Sequence, residues 1–424
     1  MKNIITDLLS PLAIILGGVF FTLYIRAFFL LHPRRFISTL RGEASFRALN
    51  LALAGTLGVG NIVGVVNAVR LGGEGAVFWM IVSAVLTSSL KYAEASLSVK
   101  TRMKGSDGFF GGAYVYIEGA FGRAGKLLGN VFAVLFAVNT LATGCIMQAK
   151  ASAEALSHVL GAKATVCSAL LAVAVLLSVR HGIRRISDLT NRIVPFACAV
   201  YIGLCALLIV LNGKNVIPVI IKIISCAFDK EGIIFGIGGF CFTRSMKCGI
   251  MRGLLSNEAG CGSSATAHAT EENATSHTQG CMGIAEVLTD TVIMCGISAV
   301  ALLSAGMDLS DEGDIASVIS CFDRYGRIMT VTACCCIALF GFATVICFAG
   351  YGCECIGYTC AKHKKTVSTA YISIYVCAVA LSVLCPSEAF LSVADLSMGL
   401  MSLINIPAML LLRKKLDCSS ALSV

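Results

Sequence analysis

Apolar residues fall into eleven long runs along this 424-residue chain. Most runs approach the roughly 20 residues that a helix needs to cross the hydrocarbon core of a bilayer. Short strands of alternating polarity, which a membrane β-barrel requires, are absent from the sequence. The pattern therefore predicts eleven membrane-spanning helices, at about 8–31, 48–69, 76–98, 127–157, 163–179, 190–211, 232–270, 280–304, 328–350, 367–385 and 389–412.

Two of these runs are interrupted by glycine and polar residues. The second run contains 54–64 (AGTLGVGNIVG), with four glycines, and the seventh contains 251–264 (MRGLLSNEAGCGSS). Glycine weakens a helix interior by about 1 kcal/mol relative to alanine, so both segments are expected to open. Opened backbone is tolerated in lipid only where protein or a water-filled cavity completes its hydrogen bonds. Broken helices in corresponding positions are typical of a transporter binding site.

The two interruptions stand five spans apart, each at the start of a five-span half. This placement predicts an all-α integral membrane protein built as an inverted five-plus-five repeat with two broken helices and one extra N-terminal helix. The whole chain, 1–424, is expected to form a single transmembrane transporter domain. Its parts are the extra helix, repeat one and repeat two, at about 8–31, 48–211 and 232–412.

Composition supports a membrane location. Only 13% of the residues are charged and 57% are hydrophobic, whereas soluble domains carry about 25% charged residues. Nineteen of the 33 lysines and arginines lie in loops on one face, against eight on the other. This basic face consists of loops 32–47, 98–126, 180–192, 362–365 and 413–415. It is expected to be cytoplasmic, which puts the N-terminus outside and the C-terminus inside the plasma membrane.

The net charge of +9 therefore reflects topology rather than a nucleic-acid partner. The 21 cysteines are scattered singly through apolar spans, apart from a Cys334–Cys336 run and a Cys353-x-Cys355 pair. Buried free cysteine behaves as a small hydrophobic residue, and zinc-like spacing with histidine is absent from the sequence. We expect no metal site, no cofactor and no enzymatic activity; a membrane enzyme that uses the cysteine-rich second half is the minor alternative.

The first interruption offers groups suited to an amino acid. The carboxylate of a zwitterion needs donors and its ammonium group needs acceptors, and opened helix ends present both. In this stretch Thr56, Gly58, Gly60 and Asn61 are the candidate binding residues. The alternative is close helix packing, because Gly60-x-x-x-Gly64 is also a small-residue contact motif.

Ionisable residues inside spans give a second set of candidates. Glu286 and Asp290 stand four residues apart in the eighth span, where charge is costly and therefore indicates function. One interpretation is ion coupling or a proton relay, and the other is pairing with buried lysine or arginine. In the second interruption, Asn257 and Glu258 are expected to hold opened backbone or a gate. Arg252 is expected to pair with a carboxylate such as Glu258.

Several long motifs resemble one known family over about residues 46–412. They are Gly58-x-Gly60-Asn61-Ile62-x-Gly64-Val65, then 72–80 (GGEGAVFWM), and later 256–263 (SNEAGCGS). These motifs are similar to the alanine or glycine:cation symporters, in the amino-acid/polyamine/organocation superfamily. The resemblance implies the broken-helix, five-plus-five fold. It also implies import of alanine, glycine or another small neutral amino acid by alternating access, coupled to Na⁺ or H⁺.

The resemblance also assigns roles beyond the first interruption. It implies that Gln148 recognises substrate, although a mid-span amide can also serve as a helix–helix hydrogen bond. Met251 and Leu255 would set the size of the pocket, and Thr344 and Phe348, one helical turn apart, would face the first interruption. Cation ligands would come from Gly58, Asn61 and Thr344.

Oxygen ligands favour Na⁺ over H⁺ as the coupling ion. The alternatives are a symporter for a different small amino acid and a membrane amino-acid sensor that does not transport. Two positions depart from the family pattern: Glu74, where proline is usual, and Phe348, where tryptophan is common.

Overall fold

The computed structural model describes residues 5–41, 43–105, 108–180, 182–228, 233–235, 241–309 and 313–416, and this part is nearly all helical. Helices α1 to α10 are Ser10–Tyr24, Phe28–Leu31, Pro33–Thr39, Glu43–Thr56, Gly60–Gly72, Gly75–Thr101, Ala113–Ala120, Gly125–Asn139, Gln148–Leu160 and Ala164–Val179. Helices α11 to α20 are Gly182–Leu211, Gly213–Ala227, Arg244–Asn257, Ala265–Ala269, Ser276–Val287, Gly296–Ser304, Asp314–Asp323, Arg327–Thr359, Lys364–Leu381 and Ser387–Leu412.

Two antiparallel hairpins interrupt the helices. Strands β1 and β2 pair Met103 with Phe110, and strands β3 and β4 pair Ile233 with Thr243. The strands are Met103–Gly105, Gly108–Phe110, Ile233–Phe235 and Cys241–Thr243.

Seven helical segments in the described residues are long and apolar enough to cross a membrane, and a bent pair of helices makes an eighth. Two shorter apolar helices, α1 and α10, match the first and fifth predicted spans. The chain is thus a multi-pass membrane protein. The count of eleven spans, the inverted repeat and the orientation of the termini remain predictions. The predicted start of repeat two at residue 232 lies outside the described residues.

The first predicted span is not one helix. Helix α1 ends at Tyr24, because Arg26 and Ala27 adopt left-handed backbone with φ of 55° and 46°. Such backbone costs about 1–2 kcal/mol per non-glycine residue and cannot continue a right-handed helix. The chain therefore turns here, and helix α2 begins at Phe28.

Both predicted interruptions are real openings of the backbone. Helices α4 and α5 meet at a 41° bend across residues 57–59. We call this bend the first break. Helix α13 ends at Asn257, and helix α14 begins only at Ala265. The connection between them, residues 258–264, is the second break. Gly260 and Gly262 hold φ of 88° and 77° within it, which is backbone that glycine adopts without steric cost.

Two other long helices carry π-helical stretches at mid-length. Thr140–Met147 joins α8 to α9, and Leu288–Cys295 joins α15 to α16. π-Helical turns are rare and occur frequently at functional sites. Gln148 follows the first stretch directly and Asp290 lies within the second, so both candidate residues stand where helical hydrogen bonding is altered.

The packing places helix α18 against the first break. This 33-residue helix contacts α4, α8, α9, α11 and α19. Helix α6 is the corresponding support for the second break, because it contacts α13, α14 and α15.

Outside the core, Glu74 at the start of α6 forms a salt bridge of 2.6 Å with Lys222 on α12. Glu74 thus connects two helices at the surface, and it does not line the cavity beside the first break.

A fully buried charged cluster lies between α6 and the second break. Lys91 Nζ is 3.2 Å from Glu286 Oε1 and donates a 2.7 Å hydrogen bond to Ser264 Oγ. The other oxygen of Glu286 lies 3.2 Å from His268 Nε2. Glu94 Oε1 accepts a 2.8 Å hydrogen bond from the backbone N–H of Gly262. Glu286 is therefore paired with a buried lysine, and the cluster anchors the backbone of the second break.

We predict that Lys91→Met destabilises the protein by about 3–5 kcal/mol, because it leaves Glu286 buried without its ammonium partner. Thermal unfolding of the purified protein in detergent measures the effect. Lys126→Met is the matched control, since that lysine is exposed on the basic face. Equal unfolding temperatures for the two variants would contradict the pairing.

Candidate functional site

The backbone of the first break is held by an amide side chain. Gln148 Oε1 accepts a 2.7 Å hydrogen bond from the backbone N–H of Val59, a donor at the break. A Cβ atom at Gly58 would lie 2.6 Å from that same oxygen and 2.8 Å from Thr344 Oγ1. Real Cβ atoms do not approach so closely, so only glycine allows Gly58, Gln148 and Thr344 to meet.

Helix α18 closes the other side of the first break. Thr344 Oγ1 donates a 2.9 Å hydrogen bond to the carbonyl oxygen of Ala54, near the end of α4. Phe348, one turn later, is buried and packs on Gly144 of the π-helical stretch, where a Cβ would collide with its ring. The hydroxyl of Thr56 instead donates a 3.3 Å hydrogen bond to the carbonyl oxygen of Ala52, within its own helix.

A second polar group surrounds Asp290. Asn61 Nδ2 donates hydrogen bonds to Asp290 Oδ1 at 2.7 Å and to the Asp290 carbonyl oxygen at 2.9 Å. Ser256 and Thr291 donate to Asp290 Oδ2 at 2.7 and 2.8 Å. Asp290 is fully buried, and no lysine or arginine among the described residues pairs with it. The carboxylate thus links α5 to α13 with hydroxyl and amide donors alone.

Asn257 extends this network into the second break. Its Nδ2 donates a 3.0 Å hydrogen bond to Thr291 Oγ1, and its Oδ1 accepts one of 3.0 Å from the backbone N–H of Ala259. Glu258 follows in left-handed backbone, with φ of 51°. The two breaks are therefore joined through buried side chains that begin at Asn61 and end at Asn257.

Arg252 forms a salt bridge with a carboxylate, as the sequence suggested, but that carboxylate does not belong to Glu258. Its Nη2 lies 3.1 Å from Asp395 Oδ2 on helix α20. Glu258 stands beyond the end of α13, where the left-handed residue turns the chain away from the face that carries Arg252. The salt bridge therefore ties α13 to α20 and not to the opened segment.

A cavity of about 890 Å³ leads to the first break. Val59, Gly60 and Gln148 line its inner part, together with the apolar side chains of Ile146 and Leu255. Towards its opening, Arg70 forms a 2.8 Å salt bridge with Asp314 of α17. Burial raises the pKa of Asp314, and the Arg70 guanidinium opposes that shift. The cavity thus combines charged side chains with a mostly apolar part beside the opened backbone, and we call that part its inner end.

The glycines at the inner end face open space. A Cβ at Gly60 or at Gly64 would meet no heavy atom within 4 Å, and both glycines line the cavity. The alternative that they form a close helix–helix contact therefore does not hold in this structure.

The sequence candidates fall into three groups. Gly60, Gln148, Arg252 and Leu255 line the cavity; Gly58, Thr344 and Phe348 lie behind its inner end; Asn61, Asn257 and Asp290 form the buried network. Thr56, Met251 and Glu258 are buried and do not line the cavity.

Sequence reasoning missed four residues that hold these groups in place. Ser256 and Thr291 bind Asp290, while Lys91 and Glu94 support the second break. Lys91 and Glu94 stand three residues apart in the apolar third span. Ionisable residues inside a predicted membrane span indicate a function, and this signal could have identified both. Ser256 lies directly before Asn257 in the interruption, but a lone hydroxyl carries no comparable signal.

The chain matches the sodium:alanine symporter family over residues 1–419. It is 32% identical to the sodium/alanine symporter AgcS of Methanococcus maripaludis, over 88% of this chain and 81% of AgcS. It is 30% identical to the probable sodium/glutamine symporter GlnT of Bacillus subtilis, over 97% of this chain and 88% of GlnT.

The fold is similar to that of a solved membrane transporter. The substrate-bound, outward-open structure of a Na⁺-coupled sialic acid symporter aligns with a TM-score of 0.54, covering 91% of this chain and 82% of that one at 13% identity. At that identity the likeness concerns the fold alone. The match over nearly the whole length and the identity to AgcS show that this chain belongs to the sodium:alanine symporter family.

Proposed function

We propose that the protein is a sodium-coupled symporter that imports alanine, glycine or a similarly small neutral amino acid by alternating access. The observation that carries the proposal is the first break, where opened backbone, Gln148 and glycines without side chains meet at the inner end of a cavity. Family membership and the names of the relatives support sodium coupling and an amino-acid substrate.

The inner end of the cavity suits a small zwitterion. The N-terminal end of α5 begins at Gly60 and presents backbone N–H groups that attract a carboxylate. The amide oxygen of Gln148, which lines the cavity, offers an acceptor for an ammonium group. Ile146, Val63 and Leu255 line the remaining space, so a short apolar side chain fits better than a long or charged one.

Asp290 supports the choice of a cation as co-substrate. Buried charges are generally paired or coordinate a metal ion, and Asp290 has only hydroxyl and amide partners. Asn61 Oδ1 is also buried and accepts no hydrogen bond among the described residues. Carboxylate, amide and hydroxyl oxygens are ligands that a hard cation such as Na⁺ prefers. We propose that Na⁺ binds beside Asp290 and Asn61 and joins the two breaks.

The cavity is also lined by Gly313, Asp314 and Asp323 around α17, on the side that the predicted topology puts opposite the basic face. If the basic face is cytoplasmic, the conformation is outward-facing, ready to accept substrate. Substrate release would then require the breaks to rearrange towards the basic face, which is the expected behaviour of broken-helix transporters.

We expect purified protein in liposomes to accumulate labelled alanine when an inward Na⁺ gradient is imposed. Uptake is measured for a panel of amino acids under Na⁺, Li⁺ and proton gradients, with empty liposomes as the control. Equal uptake with and without the Na⁺ and pH gradients would contradict coupling to either cation. Binding of alanine without accumulation would favour the non-transporting sensor instead.

We further expect Asp290→Asn to raise the Na⁺ concentration that gives half-maximal uptake by at least about tenfold, because the variant removes the charge that attracts the cation. Asp308→Asn, at an exposed position, is the control. The readout is uptake as a function of Na⁺ concentration at fixed alanine. If Asp290→Asn lowered the maximal rate but left the Na⁺ dependence unchanged, Asp290 would be structural and not a cation ligand.

A further inference from the structure

A basic groove lies at the opposite end of helix α4 from the first break. It has a volume of about 600 Å³ and separates the start of α4 from the start of α11. Its lining consists of Phe46, Arg47, Asn50, Arg185, Asp188, Leu189, Asn191 and Arg192. Both helices begin on the basic face, so the groove lies where the membrane meets the predicted cytoplasm.

The charges of the groove are unbalanced. Among the residues whose side chains the structure describes, three arginines face one carboxylate, that of Asp188. Arg47 also experiences the charge of Glu271, across the loop that follows α14. The side chains of Arg185 and Arg192 have no hydrogen bond or ion pair among the described residues. The groove is therefore left with donors and positive charge that an anion would satisfy.

The donor type indicates a phosphate group. The guanidinium of arginine presents a planar set of N–H donors that matches phosphate oxygens in a bidentate arrangement. Basic pockets between membrane helices on the cytoplasmic side are known to suit lipid head groups. Arg185 and Arg192 stand two helical turns apart on α11, so both can reach one ligand in the groove.

The walls favour a lipid over a free anion. Phe46 at the groove is 45% exposed, and Phe196, one turn beyond Arg192, is 63% exposed. Exposed aromatic side chains at this level pack against the upper part of acyl chains. Asn191 Oδ1 is buried at the groove without a donor, so the ligand should also carry a hydroxyl group.

We propose that this groove binds the head group of an anionic phospholipid whose phosphodiester carries a hydroxyl-bearing alcohol, as in phosphatidylglycerol. The phosphodiester accepts hydrogen bonds from Arg185 and Arg192, and the head-group hydroxyl donates to Asn191. Phe46 and Arg47 of α4 line the other side of the groove, so the bound lipid bridges the start of α4 to α11. It therefore holds the leading half of the first broken helix against its neighbour on the basic face.

The test is a thermal-unfolding titration of the detergent-purified protein with short-chain phosphatidylglycerol. We expect a saturable rise in unfolding temperature. The apparent affinity should fall at least about tenfold in the double variant Arg185→Gln/Arg192→Gln, because each charge-assisted hydrogen bond contributes roughly that factor. The apparent affinity of Arg185→Lys/Arg192→Lys should lie between those of the unmodified protein and the glutamine variant, because lysine keeps the charge but loses the bidentate donor geometry of arginine.

Arg123→Gln/Lys126→Gln is the matched control, as both residues are exposed on the same basic face. Short-chain phosphatidylcholine and inorganic phosphate are the comparison ligands. Little or no shift with either would support the proposal. If inorganic phosphate raised the unfolding temperature as much and as saturably as the lipid, the ligand would be free phosphate and not a lipid. If the control variant lost as much affinity for the lipid, the effect would be general charge attraction. Either of these results overturns the proposal, and neither bears on amino-acid transport.

Discussion

The hydrogen bond from the Val59 N–H group to Gln148 Oε1 makes an opened helix possible at this depth. An unpaired backbone donor away from water costs several kcal/mol in a membrane, so a break survives only where the protein supplies an acceptor. Gln148 does so from the end of a π-helical stretch. The absence of a Cβ at Gly58 then allows Gln148 and Thr344 to approach the same point. The inner end of the cavity depends on this one contact.

The second break is stabilised differently, and the contrast bears on function. Around the second break, Lys91 forms an ion pair with Glu286, and Glu94 accepts the hydrogen bond that fixes the backbone at Gly262. Around Asp290, the hydrogen-bond donors are neutral, and no lysine or arginine among the described residues pairs with the carboxyl group. The Lys91 cluster contains an ion pair and holds the backbone of the second break. The Asp290 cluster has no positive side chain among the described residues, which is why we propose that a cation completes it, and it lies between the two breaks.

The sequence predicted the openings in the backbone well, because glycine density inside an apolar run has few other causes. The membrane class and the family also followed from sequence. Predictions of pairing were less successful: Arg252 bonds to Asp395, which lies 143 positions away along the chain, and local spacing cannot indicate such a partner. The first predicted span begins as the apolar helix α1, but the left-handed backbone at Arg26 and Ala27 ends that helix before residue 31, and the sequence does not indicate this turn.

The orientation of side chains near the cavity could not be predicted from the sequence either. Thr56, Met251 and Phe348 stand in the right segments, but helix rotation turns them into the core and away from the cavity. Rotation of this kind depends on contacts among α4, α13 and α18, which a single sequence does not reveal. The candidate site is therefore smaller than the set of residues that sequence motifs suggested, and it is concentrated on Gly58, Gly60 and Gln148.

The most direct test of this account is equilibrium binding of labelled alanine to the purified protein in the presence of Na⁺. Gly58→Ala should weaken binding by roughly 5- to 150-fold, because the added methyl group overpacks the contact between Gln148 and Thr344. Gly203→Ala, a membrane-helix glycine whose Cβ would meet no atom within 4 Å, should bind like the unmodified protein. Equal alanine affinity in both variants, with both folded, would show that the first break is not the amino-acid site.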